Sequence, residues 1–519
     1  MSPAAYESSL LSNLNVLPVW ELGINGTGIT VSILDDGVDY LHPGLAKAWS
    51  SEGSWDFASK GPQALPQKPD DRHGTRCAGQ IAAALGSKCG PGVAFGAQIS
   101  AERLLGEGIF DSTEAKALNY RWERNDIYSS SWGPADDGSS LDGPGRFAQA
   151  ALESGIRNGR HGRGSIFVFA NGNGGKADNC NYDGYASSIY TISVGAITHD
   201  GVLTPYSEPC AAHLAVSYAG GHGKVISTTD PRGRCTTEHT GTSAAAPYAS
   251  GVIALLLSYR PDLTWRDVQH LIIHSAKITD PGDPGWRTNG AGLPVSHKYG
   301  YGAVDAYRLI EAARDFRSLP EAMPHWKHRV RVHRRIPAAV GRHAALIDEI
   351  RVRPDRSNMI SRLEHVQVVL RLVHPKRRFL TISLVSPAGT ESILGTPRPR
   401  DTSDQGFNPW TFTTVHHWGE SPLGRWQLRL ADRRDDDGAF DPRWPDEGTL
   451  ISWELVLAGI GNASAADGDW TISPRPHAAT YDLPRPSFLS VGTTTTAALL
   501  LVPIVLAILY RRPGRRIYS

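Results

Sequence analysis

The sequence predicts an α/β protein built on a doubly wound parallel sheet, followed by an all-β sandwich or jelly roll and a C-terminal transmembrane helix. Three observations predict that order. Between Gly28 and Ala312, short β-branched runs alternate with amphipathic or Ala-rich stretches, the pattern of a sheet covered by helices. From Arg362 onward, apolar and polar residues alternate along short runs with turn signals between them. From Phe488 to Tyr510 the chain carries no charge and ends in a dense apolar stretch, about the length that crosses a bilayer. At 519 residues the chain is long enough for more than one folding unit.

In the first unit, residues 1–318, strands are expected at 29–35, 98–103, 127–131, 165–170 and 190–194. Helices are expected to begin near His73, Ser112, Arg146, Ser243 and Thr264, with Thr264 capping the run 265–276. Around 319–356 the pattern breaks into a basic, Pro-containing segment with Lys327, Arg329, Arg331, Arg334 and Arg335, which reads as a domain junction. The second unit, 319–460, offers strands at 362–373, 378–385, 426–430 and 450–457 and a turn at 387–389. A polar stretch at 461–487 reads as a stalk, 488–510 as the span and 511–519 as a tail. Arg511, Arg512, Arg515 and Arg516 place that tail in the cytosol and the bulk of the chain in the lumen or outside. A cleaved lipid-anchor signal would not normally carry four arginines beyond its apolar tail. Met1 to Asn15 holds no basic stretch followed by an apolar run, so no secretory signal is expected there.

A net charge of +1 gives no whole-chain reason to expect nucleic acid. The five cysteines, Cys77, Cys89, Cys180, Cys210 and Cys235, form no C-x-x-C pair or Cys/His spacing that would hold zinc. In an oxidising compartment they would make two bridges and leave one thiol; in the cytosol, five buried thiols. Asn25-Gly26-Thr27 and Asn462-Ala463-Ser464 are glycosylation sequons, relevant only to a lumenal chain.

Three local signals in the first unit fit one chemistry. A β-run ends in Leu34-Asp35-Asp36-Gly37, His73 opens a helix in Arg72-His73-Gly74-Thr75, and Ser243 opens another in His239-Thr240-Gly241-Thr242-Ser243. A serine hydroxyl is a weak nucleophile until an imidazole takes its proton, and that imidazole needs a carboxylate to hold its tautomer and stabilise its charge. Asp35, His73 and Ser243 supply these parts. The helix start at Ser243 adds unpaired backbone N–H groups near the developing oxyanion. A second donor is expected from the amide of Asn173, in a Gly-rich loop just after a strand. Singly, each signal is more often structural; their combination is what points to catalysis.

With these residues the chain, from Val16 to about Ala458, resembles the kexin-like proprotein convertases of the subtilisin superfamily, most of all the furin and type-7 group. The resemblance implies a calcium-dependent serine endoprotease that cuts proprotein precursors after Arg-x-(Lys/Arg)-Arg. Carried over by position, Asp35, His73 and Ser243 form the triad and Asn173 the oxyanion site. Ser131, Trp132 and Gly133 pair with extended substrate as an added strand. Asp136 and Asp183 receive the basic residue before the cut, Asp36 and Asp70 face the next residue back, and Glu114 and Asp142 read the residue four back. Paired acidic groups in a desolvated pocket favour Arg and Lys. Ala135 and Gly106 stand where relatives often carry acids, so the outer subsites are expected to be less demanding.

The resemblance further implies a calcium ion on Asp136, Asp178 and Glu208. A second family calcium site looks lost, with Gly44 in place of its aspartate and a shortened loop at 84–88. Disulfides Cys89–Cys235 and Cys180–Cys210 are implied, leaving Cys77 either as a mercurial-sensitive thiol or as a small packed hydrophobe. The second unit is the family's P domain. The basic stretch Arg331 to Arg335 is then either a processing site or, more simply, a solvated linker.

Relatives also carry a signal peptide and an inhibitory prodomain, neither found in this sequence, and reside as single-span proteins in the trans-Golgi network, endosomes and cell surface. Two competing readings stand beside this one. A noncatalytic membrane-anchored binder of basic peptides would keep the sheet without turnover. A lipase or esterase would need Gly-x-Ser-x-Gly and the order Ser, Asp, His, and neither is present.

Overall fold

The computed structural model describes residues 10–106, 108–336, 345–354, 360–433 and 448–461. Seven strands form a parallel sheet: β1 Thr30–Asp35, β2 Trp55–Asp56, β3 Gln98–Arg103, β4 Ile127–Ser130, β5 Ile166–Ala170, β6 Thr191–Ile197 and β7 Ala215–Tyr218, in the order β2-β3-β1-β4-β5-β6-β7. The sequence pattern locates five of them; β2 and β7, two and four residues long, give too little pattern to read.

Strand β5 shows why the sheet is covered on both faces. Ile166, Val168 and Ala170 pack into one apolar cluster with the helices His73–Ala82 and Thr242–Tyr259. Phe167 and Phe169, on the other face, pack with Leu118 of the helix Asp111–Leu118 and Leu152 of Arg146–Gly162. A strand buried on both sides reads as a continuous apolar run, as Ile-Phe-Val-Phe-Ala does. Further helices are Trp265–Ser275, whose start carries the capping box Thr264–Asp267, and Ala306–Arg314. Two short hairpins complete this part, β8 Ile226–Asp230 with β9 Arg234–His239 and β10 Trp286–Thr288 with β11 Pro294–Ser296. Because chain order reverses about β1, the loops after β1, β4 and β5 open a crevice at the carboxyl edge of the sheet, the usual place for a site in such folds.

The second part is a sandwich of two antiparallel sheets. One has the order β12-β19-β14-β17 and the other β13-β18-β15-β16. The strands are β12 His325–Ile336, β13 Leu346–Val352, β14 Ile360–Val373, β15 Leu380–Val385, β16 Glu391–Gly395, β17 Phe407–Thr414, β18 Gly424–Asp432 and β19 Gly448–Gly461. Trp426, Trp453 and Phe412 fill the space between them.

One sequence expectation is corrected here. The basic segment expected to be a junction contains two paired strands, β12 and β13. Arg331 pairs with Ser452 and Arg334 with Leu450, so this stretch is neither a linker nor an extended loop free to enter a protease. β12 is an edge strand whose lysines and arginines face solvent, a common device against edge-to-edge pairing, and they mask the partly buried Trp326, Val330 and Val332 beneath.

The two parts share a buried polar contact. Arg266 makes an ion pair of 2.6 Å with Glu364 and donates to Pro320 O, and Tyr301 Oη donates to Val415 O at 2.6 Å. Disulfides join Cys89 to Cys235 and Cys180 to Cys210, and Cys77 is free and buried. Among the described residues no helix is long and apolar enough to cross a membrane. The stalk, the span at 488–510, the tail and the sequon at Asn462 lie outside the described residues, whereas Asn25 lies within them.

Candidate active site

Asp35 ends β1 with its side chain almost wholly buried, and His73 opens its helix directly above it. The ring Nδ1 of His73 lies 2.8 Å from Asp35 Oδ2 and 3.0 Å from Oδ1. Gly74 makes this approach possible, since a Cβ there would stand 2.4 Å from Gly37 O and 2.9 Å from Asp35 Cβ. Burial opposes a charge on His73, yet the adjacent Asp35 carboxylate outweighs it and holds the ring well above the usual imidazole range.

Asp36 has a use that the sequence does not reveal. Its Oδ2 accepts the backbone N–H groups of Arg72 and His73, and its Oδ1 accepts that of Gly74, so it closes the amino end of the catalytic helix. Burial and the neighbouring Asp35 carboxylate push it up to about 7 despite these bonds. This capping position is additional to the place facing the substrate that the resemblance implies for Asp36. Asp70, expected alongside it, is exposed and pairs with Arg72 at 3.6 Å.

Ser243 sits in the first turn of Thr242–Tyr259, entered through Gly241 at φ 88°. Its Oγ donates to Ser131 O at 3.3 Å rather than to the ring of His73. Such looseness is common in substrate-free sites, whose catalytic bonds tighten on binding. Ser131 Oγ in turn donates to Ser243 O at 3.0 Å, and Trp132 Nε1 to Leu34 O at 2.9 Å, fixing the segment after β4.

Asn173 is oriented by its oxygen. Oδ1 accepts both the N–H and the hydroxyl of Thr242, at 2.8 and 3.0 Å, which turns Nδ2 toward Asp136 Oδ2 at 3.3 Å and the open cleft. The locking role of Thr242 was legible only as one letter of Gly-Thr-Ser.

Beside this amide, Asp136, Asp178, Asp183 and Glu208 line one small cavity, delivered by the loops after β4, β5 and β6. Gly133 leaves room for Asp183, since a Cβ at that position would lie 2.8 Å from its Oδ2. Burial pushes Asp183 up to about 7 and Glu208 well above the usual carboxylate range, and the proximity of the acids adds to both shifts. Asp136, Asp178 and Glu208 bring hard oxygen donors to one cavity, the donor chemistry that suits calcium, with Asp178 Oδ1 also held by Arg398 Nη1 at 3.1 Å. Near Gly44, His42 ties its own loop to a neighbouring strand. His42 Nδ1 accepts the N–H of Gly44, and its Nε2 lies 2.8 Å from Arg234 O.

Farther along the cleft, Glu114 is buried on its helix and lifted to about 7, chiefly by burial, with Asp111 and Asp142 contributing. Asp142 is bridged by backbone to Asp183, so the two acidic places are joined. Cys77 lies under the triad, 3.7 Å from His239 Nε2, with burial holding its thiol protonated; this environment favours a packed, inert sulfur.

A buried carboxylate, an imidazole, a serine at a helix start and an oriented amide on this sheet define a serine-type endopeptidase. Residues 26–302 match the Subtilase family and residues 363–457 the proprotein convertase P-domain. The chain is 41% identical over 503 residues to the dibasic-processing endoprotease of Schizosaccharomyces pombe, covering 95% of this chain and 69% of that one. It is 43% identical to human proprotein convertase subtilisin/kexin type 7 over 86% of this chain and 57% of that one, and 44% identical to kexin of Saccharomyces cerevisiae over 81% and 52%. The serine protease of Aeromonas sobria, crystallised with its chaperone, shares the fold with a TM-score of 0.77 at 24% identity, over 86% of this chain and 90% of that one. The chain belongs to the subtilase family, among its kexin- and furin-like proprotein convertases.

Proposed function

We propose that this chain is a calcium-dependent endoprotease that cuts proprotein precursors after Arg-x-(Lys/Arg)-Arg. The observation that carries this reading is the acidic cavity beside Asn173. The amide that would receive the oxyanion touches Asp136, so a basic side chain entering among the carboxylates brings its own carbonyl to the amide. His73 takes the proton of Ser243 as Oγ attacks that carbonyl. The tetrahedral oxygen is held by Asn173 Nδ2 and the backbone N–H of Ser243, and His73 then protonates the leaving amine. Water, activated by the same ring, releases the acyl-enzyme. Calcium, when bound, supplies fixed positive charge; Asp136, Asp178 and Glu208 would hold it.

The test is hydrolysis of a fluorogenic Arg-x-Lys-Arg peptide and of its counterpart ending in Ala, with calcium or with a chelator. Turnover of the basic peptide alone, lost on chelation, is expected; equal turnover of both peptides would overturn the basic specificity, turnover that survives chelation would overturn the calcium dependence, and none by a folded chain would favour a noncatalytic binder.

Glu114 supplies a pH-dependent prediction. With its value raised to about 7 it is neutral below that pH and charged above it. The preference for Arg over Ala four residues before the cut is therefore expected to fall as pH drops from 8 to 6. Glu114→Gln should flatten that dependence, measured as the ratio of kcat/KM for the two peptides. A pH-independent ratio in the unmodified chain would remove Glu114 from this role.

We further propose the domain organisation set out from the sequence, with a lumenal bulk, a single span at 488–510 and residence in the trans-Golgi network, endosomes or cell surface. Two disulfides support an oxidising compartment. An inhibitory prodomain is the expected partner for folding.

A further inference from the structure

The lining of the acidic cavity is backed by a side chain that the catalytic part of the chain does not supply. Arg398, in the sandwich loop between β16 and β17, has a side chain only 1% exposed. Its Nη1 donates to Ser140 O at 2.7 Å and to Asp178 Oδ1 at 3.1 Å, and its Nη2 donates to Ser139 O at 3.2 Å and to Asp401 Oδ2 at 2.6 Å. The guanidinium carbon lies 3.7 Å from the ring centroid of Tyr182. One planar group thus holds both flanks of the cavity, the 136–140 loop through two carbonyls and the 178–183 loop through a carboxylate and an aromatic face. Arg377 adds a second bond to Ser139 O at 3.0 Å.

From its own side the first of these loops is tied through Gly138, whose N–H donates to Asp178 Oδ2 at 2.8 Å, and through Asp136, whose Oδ2 accepts from Asn173 Nδ2 at 3.3 Å. The N–H groups of Ser139 and Ser140 both go to the Asp137 carboxylate, an exposed turn closed on itself. Burying a guanidinium costs several kcal/mol unless its bonds are satisfied, so an apolar residue would serve simple packing better. Arginine is the side chain whose fixed fork spans several acceptors at once, which a lysine ammonium cannot do.

We propose that Arg398 is a positioning residue for recognition of the basic side chain before the cut, so that the sandwich sets the shape of the primary specificity pocket. The inference rests on the reading of that cavity given above. Removing the fork frees Ser140 O and breaks the ion pair to Asp178, leaving Ser139 O to Arg377 and Asp178 to the N–H groups of Gly138 and Asn179; this loosens the wall of the pocket while Ser243, His73 and Asn173 stay in place.

The test uses the full chain carrying Ser243→Ala, so that binding is read without turnover, and a peptide ending in Arg-x-Lys-Arg, with Kd taken by calorimetry. Arg398→Met is expected to weaken binding about tenfold, the scale of one lost charge-assisted hydrogen bond. Arg398→Lys should restore little of it, and carries the same test if the methionine variant fails to fold. Tyr301→Phe removes a different bond between the two parts, to Val415 O, and should lower Tm while leaving Kd unchanged. An unaltered Kd in Arg398→Met, or an equal loss in Tyr301→Phe, overturns the proposal. Absence of binding by the Ser243→Ala chain itself would instead remove the proposed function, and the inference with it.

Discussion

Replacing Ser243 by Ala is expected to lower kcat about 10⁶-fold and to leave KM nearly unchanged, because it deletes the nucleophile while the acidic cavity and Asn173 remain. Asp35→Asn should cost less, about 10⁴-fold, since the attacking oxygen survives but the ring loses the partner that holds its tautomer and charge. The two variants also differ in pH dependence. Asp35 keeps the His73 ring well above its usual range, so the acid limb of kcat/KM in the unmodified chain reports a raised value. In Asp35→Asn that support is gone, burial alone acts on the ring, and the limb should move to lower pH. The pair also contributes stability that is present below the unfolded ring value and is lost as pH rises through the folded one; Asp35→Asn should remove that acid-side contribution. Steady-state and single-turnover kinetics from pH 5 to 9 with a fluorogenic basic peptide would check the rates and the limb, and Tm over the same range would check the stability. A Ser243→Ala chain retaining more than about a hundredth of the unmodified rate would exclude Ser243 as nucleophile.

The parts of this site that could be read from sequence are those whose chemistry is written in a few adjacent letters. Asp35 ends a β-branched run, and His73 and Ser243 each open a helix beside glycines, so local pattern and function coincide. The doubly wound sheet was legible for the same reason, through runs such as Ile-Phe-Val-Phe-Ala that only a doubly covered strand would carry. The acidic residues show no local period; without a resemblance they are scattered surface acids, and their convergence needs three separate loops to meet. The capping use of Asp36 is not legible, because its sequence position beside Asp35 says nothing about the three N–H groups it accepts. β12 is masked by the charges of an edge strand. Arg398 lies 220 residues beyond Asp178, in a loop whose composition gives no sign of its partner. What local pattern cannot carry is contact between distant loops, and the acidic cavity of this site is built almost wholly from such contact.

Asn173→Ala is expected to lower kcat by about 10²- to 10³-fold with little change in KM, because the amide donates to an oxygen that bears charge only in the transition state. The variant also leaves the N–H of Thr242 without its acceptor at a helix start, which should cost about 1 kcal/mol of stability. A fall in rate could then be blamed on a loosened helix carrying Ser243. Asn173→Asp separates the two effects. An aspartate keeps an oxygen for the N–H and hydroxyl of Thr242, so the helix start stays tied, but it replaces the donor facing the cleft with an acceptor beside Asp136. If the amide acts on the oxyanion, the Asp variant should lose at least as much kcat as the Ala variant while holding its Tm closer to that of the unmodified chain. If Asn173 only anchors the helix, the Asp variant should keep most of its rate, and catalysis would have to draw its oxyanion donors from the backbone at Ser243 alone. Thr242→Val gives the intermediate case. One of the two bonds on Oδ1 is lost, the amide gains freedom to turn, and kcat should fall by less than in either Asn173 variant.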